Sequence, residues 1–234
     1  MEQAVLGEFL GTALLILLGN GVVANVSLKD SKGKDAGWLA INIGWGLAVM
    51  VAAFASGYLS GAHLNPAVTL AFAIQGSLKW NLVLPYILAQ MAGAIVGQVL
   101  VYFHYYEHYQ VTEDGETILG TFSTGPAIPS DWNNLLSEAI GTFVLVFGIL
   151  SFTKTTMAPG LGTAVVGALI ISIGVSLGGT TGYAINPVRD LGPRLVHAFL
   201  PIDHKGSSHW EYAWIPVVGP MIGGALAAYA FMMI

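Results

Sequence analysis

Charge and cysteine are what this sequence has least of. No cysteine occurs among its 234 residues, which excludes disulfides, thiolate nucleophiles and Cys-ligated metals and leaves the redox compartment unread. Charged residues make up 9%, where a soluble domain carries roughly 25%. The formal net charge is -5, a balance that argues against nucleic acid as a partner. His104, His108, His197, His204 and His209 lie near apolar-run ends or in loops without metal-ligand spacing. No nucleophile stands beside a base, so neither an enzyme nor a cofactor or metal site is expected.

What fills the chain is hydrocarbon, at 55% of residues. A bilayer core about 30 Å thick takes roughly 20 apolar helical residues to cross. The sequence offers six such runs, over about 4–26, 38–58, 81–105, 134–153, 160–178 and 212–233. The first lacks a basic leading segment and carries Glu8, so it reads as a retained helix and not a cleaved signal. The expected fold class is an all-α membrane protein, one domain over residues 1–234. Gly93, Gly97, Gly223 and Gly224 read as close helix contacts, not phosphate loops.

Two connections differ from the rest. Residues 60–75 and 179–199 are too apolar for surface loops and too short to span, and each contains Asn-Pro. Non-helical backbone at membrane depth is tolerated only where protein buries it or a water-filled cavity adjoins it. Asn65-Pro66-Ala67 and Asn186-Pro187-Val188 place Asn where a helix cap is preferred and Pro at the first helical position. Each predicts a half-membrane helix. The segment 107–132, by contrast, reads as an acidic loop punctuated by Gly, Pro, Ser and Thr.

The chain also repeats itself: Glu8-Phe9-Leu10-Gly11-Thr12 recurs as Glu138-Ala139-Ile140-Gly141-Thr142, and Pro85 with Gly93 as Pro216 with Gly224. Three spans per repeat is an odd number of crossings, so repeats of about 1–125 and 126–234 must be inverted. Interrupted helices at matching places of inverted halves point to a permeation site near the midplane. Two half-helices meeting there N-terminus to N-terminus would repel cations. The Asn amides would donate to a passing oxygen and so interrupt a proton wire. Arg189, three residues past Asn186, is a charge within the membrane and functional by default. An ion- or proton-coupled secondary transporter shares this layout and is the alternative to a passive channel.

The run Ser60 to Thr69, with Asn186-Pro187-Val188-Arg189-Asp190-Leu191-Gly192-Pro193-Arg194, resembles the aquaporin (major intrinsic protein) family over essentially the whole chain. Asp190, Arg194, Pro216-Val217 and Gly120 to Thr124 are similar to its glycerol-facilitator branch. Val188, where the family usually has Ala, and Gly125, where the branch commonly has an aromatic, depart from the pattern. The resemblance implies a passive channel for glycerol and other small uncharged solutes (water, dihydroxyacetone, urea, protonated lactic acid) that excludes ions and protons.

It further implies a narrowest ring at Trp45, Gly174, Tyr183 and Arg189, with Gly174 opening the bore where water-selective members have His, and Tyr183 where glycerol facilitators often have Phe. A linear polyol would slide its C–H edge on the rings of Trp45 and Tyr183 while Arg189 and backbone carbonyls replace its hydration. Those carbonyls would be Gly61, Ala62 and His63 on one side and Gly182, Tyr183 and Ala184 on the other. Glu8 and Glu138 would anchor the re-entrant loops. A homotetramer in the cell membrane with cytoplasmic termini is implied as well. The positive-inside rule, applied to Lys29, Lys32, Lys34 and Lys205 on one side against Lys79 and Lys154 on the other, gives the opposite orientation; the family pattern is preferred because the counts are small.

Overall fold

A computed structural model describes residues 1–234. It is entirely helical. In chain order the helices are α1 (Glu2–Ser27), α2 (Gly37–Ser60), α3 (Pro66–Ile74), α4 (Val83–His104), α5 (Tyr106–Val111), α6 (Gly115–Gly120), α7 (Asp131–Phe152), α8 (Leu161–Leu177), α9 (Pro187–Phe199) and α10 (Ile215–Met232). Five of the six long ones have at least 18 residues and enough hydropathy to cross a membrane, and α8 is an apolar helix of 17 residues, about 25 Å of helix at the short end of what spans. α3 and α9, with 9 and 13 residues, are half-membrane helices. The order long, long, short, long thus occurs twice.

Small residues decide how the long helices meet. A Cβ on Gly93 would sit 2.3 Å from the Phe9 carbonyl oxygen and one on Gly97 2.4 Å from that of Ala13, so α1 and α4 touch backbone to backbone. α7 and α10 do the same at Gly223, 2.1 Å from the Ala139 oxygen. α2 and α8 cross where Gly46 and Gly167 each face the other's carbonyl, at 2.6 and 2.7 Å. In lipid, where apolar surface gains nothing by leaving the solvent, such close approach is what holds helices together. The outward faces stay apolar and exposed, with Leu10, Leu47, Phe54, Leu88, Ile140 and Leu226 among them.

One expectation is corrected. Residues 107–132 are not irregular throughout, because α5 and α6 occupy part of them. Asp114 caps α6 by accepting from the Thr117 N–H at 2.9 Å and the Thr117 hydroxyl at 2.5 Å. Six-residue helices are too short to show a period in sequence.

Candidate functional site

The two half-helices begin as their caps require. Asn65 Oδ1 accepts from the Ala67 N–H at 2.8 Å, and Asn186 Oδ1 from the N–H groups of Val188 and Arg189 at 3.2 and 3.3 Å. With each oxygen so engaged, each amide nitrogen points the other way. Asn65 Nδ2 donates to the Ile185 carbonyl at 2.7 Å and Asn186 Nδ2 to the Leu64 carbonyl at 2.8 Å. This reciprocal pair joins the start of one half-helix to the strand of loop before the other. Each amide carries two N–H bonds, so the bond across the pair fixes the group and leaves a second donor.

The loops before the caps are strained in matching places. Gly61, Ala62 and Leu64 have φ of 84°, 52° and 53°, and Gly182, Tyr183 and Ile185 have 80°, 40° and 43°. A non-glycine residue held there costs roughly 1–3 kcal/mol. Two buried carboxylates hold the loops in place. Glu8 accepts from the N–H groups of His63 and Leu64 at 2.9 and 2.7 Å and from Gln90 Nε2 at 2.7 Å. Glu138 accepts from the N–H groups of Ala184 and Ile185 at 2.9 and 2.8 Å and from the Thr181 hydroxyl at 2.6 Å.

A cavity of about 220 Å³ runs along these loops. It is lined by Gly61 to Asn65, Tyr183 to Asn186 and Arg189, and by apolar side chains such as Val49, Phe72, Ile149 and Val166. Trp45 lies in the wall beneath Arg189, whose guanidinium carbon is 4.2 Å from the indole centroid. His63 also faces in, with Nδ1 3.3 Å from the Thr69 hydroxyl and its ring against Phe72 and Tyr86. Gly174 and Gly182 stand behind the lining. Tyr183 lies back over α8: Cβ atoms on Gly174 and Gly178 would fall 2.7 Å from its Cζ and 2.4 Å from its Cδ1. The notch at Gly174 is therefore filled by the phenol ring and does not open directly onto the cavity.

Behind Arg189 is a polar frame in which the motif reading named Asp190, Arg194 and the segment 120–124 but missed Asn20 and Gln98. Arg189 Nη1 donates to the Phe122 carbonyl at 3.2 Å. Asn20 Nδ2 donates to the same oxygen at 2.8 Å and to Gln98 Oε1 at 2.5 Å. Arg194, fully buried, uses all five guanidinium N–H bonds. They go to both oxygens of Asp190 at 2.8 and 3.0 Å, the Thr124 carbonyl at 2.7 Å, and the carbonyls of Ser208 and His209 at 2.6 and 3.3 Å. Asp190 in turn accepts from the Thr124 N–H and hydroxyl, each at 2.8 Å. The signal that marks these residues is polarity inside apolar helices: Asn20, Asn42, Gln90 and Gln98 interrupt spans and are all fully buried.

Six spanning helices around a cavity that two opposed half-helices interrupt define a membrane protein of the channel class, with its polar groups turned to a path and not to lipid. The chain belongs to the major intrinsic protein family, whose sequence model matches residues 1–231. It is 58% identical over 227 residues to "Glycerol uptake facilitator protein 3" of Lactiplantibacillus plantarum, covering 97% of this chain and 95% of that one. It is also 58% identical over 233 residues to the "Glycerol uptake facilitator protein" of Streptococcus pneumoniae strain R6, each chain covered in full. The crystal structure of the aquaglyceroporin from Plasmodium falciparum superposes with a TM-score of 0.88 at 31% identity, over 97% of this chain and 94% of that one.

Proposed function

We propose that the chain is a passive channel of the cell membrane for glycerol and other small uncharged solutes, among them water, dihydroxyacetone, urea and protonated lactic acid, and that it excludes ions and protons. The reciprocal bonds between the Asn65 amide and the Ile185 carbonyl and between the Asn186 amide and the Leu64 carbonyl carry this reading. They bring two helix N-termini to one point of the cavity, where their dipoles disfavour a cation. The remaining amide N–H of each Asn donates to a passing oxygen. An oxygen accepting from both has its own hydrogens turned outward, and a proton wire is broken there.

Discrimination falls to Trp45, Tyr183 and Arg189. The two rings offer apolar surface and the guanidinium, lying over Trp45, offers donors beside it, which suits a molecule with carbons on one side and hydroxyls on the other. Gly174 serves from the second layer, by letting Tyr183 lie back. The carbonyls of Gly61, Ala62, His63, Tyr183 and Ala184 replace hydration along the path, with Gly182 shaping the turn that presents them. The chain works as one domain of two inverted repeats, about 1–125 and 126–234, in a homotetramer with cytoplasmic termini. The glycerol facilitators it resembles support the choice of solute.

Purified protein in liposomes, measured by stopped-flow swelling with that solute panel, tests the proposal. Flux linear in solute concentration and independent of proton or sodium gradients is expected. Saturating flux that follows an ion gradient would instead make the protein a coupled transporter. Protease access to the loop around Lys32 in intact cells tests the orientation, and native mass spectrometry the tetramer.

A further inference from the structure

Asn42 lies one helical turn before Trp45 on α2 and is fully buried. Neither its amide nitrogen nor its amide oxygen has a hydrogen-bond partner, and the hydroxyl of Tyr183 has none either. Buried polar groups left unpaired are costly and rare, so three in one place call for a reason. They border a single small volume, the notch over Gly174. A Cβ built there would stand 2.3 Å from Asn42 Oδ1 and 2.8 Å from the Tyr183 hydroxyl oxygen. Lying within 3 Å of one point, the two oxygens are within roughly 5 Å of each other, a gap that a small rotation of the amide or one water closes. The Gly174 carbonyl beside them is already taken by the Gly178 N–H at 3.2 Å.

We propose that Asn42 is a positioning residue for the selectivity ring: its amide engages the Tyr183 hydroxyl across the Gly174 notch and holds the phenol ring back against α8, which sets the width of the path opposite Arg189. This rests on the reading of Trp45, Tyr183 and Arg189 as the ring. The rest of the ring's seat is apolar or backbone: Gly178 under Cδ1, and Trp38 edge-on with centroids 5.9 Å apart. These permit the ring to slide, and only a directional bond to the hydroxyl fixes where along α8 it rests. A phenylalanine at position 183 would pack on the same glycines but would leave Asn42 without a purpose.

The test is the ratio of glycerol to water permeability in proteoliposomes, a quantity that does not depend on how much channel is reconstituted. Tyr183→Phe and Asn42→Leu are each expected to change the ratio in the same direction by about two- to fivefold, the scale of one hydrogen bond. The double variant is expected to match the singles, because both remove the same bond. An unchanged ratio in either single variant, or effects that add in the double, overturns the inference. Should Asn42→Leu not assemble, Asn42→Ala is held to the same criterion, and Tyr183→Phe alone still decides. Arg189→Val in parallel separates the two levels. If it leaves the ratio untouched, the ring reading falls and the inference with it; if it shifts the ratio while Asn42→Leu does not, only the inference falls.

Discussion

Arg189 and Asn20 donate to one oxygen, the carbonyl of Phe122, at 3.2 and 2.8 Å. The cavity-lining guanidinium is thus held by a backbone group that is itself fastened from behind. A carbonyl has two lone pairs, so the two donors do not compete. Asn20 ties α1 to the segment 121–124, and through Gln98 to α4 as well.

Asn20→Leu tests that frame. The substitution keeps the branched shape of the side chain, but it removes one donor from the Phe122 carbonyl and leaves Gln98 Oε1 unpaired and buried. A loss of about 1–3 kcal/mol in stability is expected from the orphaned group, read as a lower midpoint of thermal unfolding in detergent. Solute flux at a temperature where the variant is folded is expected to fall several-fold less than for direct removal of Arg189. Equal losses would mean that Asn20 does more than steady the carbonyl.

The carboxylates predict a graded series. Glu138 satisfies the N–H groups of Ala184 and of the strained Ile185, and the Thr181 hydroxyl, so Glu138→Ala leaves three buried donors without acceptors. At roughly 1.5–3 kcal/mol for each bond to a charged group, the loss is comparable to the whole stability of a typical domain, and the variant is expected not to accumulate in the membrane. Glu138→Gln keeps one acceptor oxygen and turns an NH2 toward a donor, so reduced accumulation with residual flux is expected. Glu8→Gln is expected to behave alike. Immunoblots of membrane fractions beside swelling rates would show the order.

How much of this was open to reading beforehand depended on whether the chemistry was local. Asn65-Pro66 and Asn186-Pro187 carry their cap and first-turn preferences within two residues, so both half-helices and their meeting could be expected from sequence. Arg189 was legible because a charge in an apolar segment is rare, and Glu8 and Glu138 because they recur. Asn20, Asn42 and Gln98 were not legible in the same way. A polar residue in a span announces that it has a partner without saying which helix supplies it. Gly174 shows the limit from the other side: a glycine's sequence position says that a side chain is missing, and only the fold says that Tyr183 and Asn42 fill the space.

That packing sharpens what a substitution at Gly174 should do. Its Cβ would lie 2.3 Å from Asn42 Oδ1 and 2.7 Å from Tyr183 Cζ, so even Gly174→Ala must move the phenol ring toward the path, and Gly174→His must move it further. Glycerol flux is expected to fall severalfold in Gly174→Ala and to be nearly abolished in Gly174→His, with water flux reduced less in both. Stopped-flow swelling on the two variants measures this. Undiminished glycerol flux in a folded Gly174→His channel would remove Tyr183 from the path and Gly174 from its supporting role.

The loop face carries a pH-dependent contact. His209 Nε2 is 2.9 Å from Glu116 Oε1 on α6, and Nδ1 is 2.6 Å from Glu211 Oε1. Hydrogen bonds to Glu116 and then Glu211 raise the imidazole pKa above its ordinary 6.5, and the bond to His209 holds the Glu211 carboxyl below its ordinary 4.5. The signs follow from linkage. The raised histidine contributes its full stabilisation below pH 6.5 and loses it as pH rises through the shifted value. The depressed carboxylate contributes above pH 4.5 and loses it as pH falls through its own shifted value. The latch between α6 and the loop before α10 is therefore strongest from about pH 4.5 to 6.5. Because these groups are partly or fully exposed, salt weakens it. Amide hydrogen exchange over residues 205–214, corrected for the intrinsic pH dependence, is expected to be slower at pH 5.5 than at pH 8.5. His209→Gln should abolish the difference, since glutamine keeps hydrogen-bonding capacity but not the titrating charge. A difference that survives in His209→Gln would assign the effect to another group.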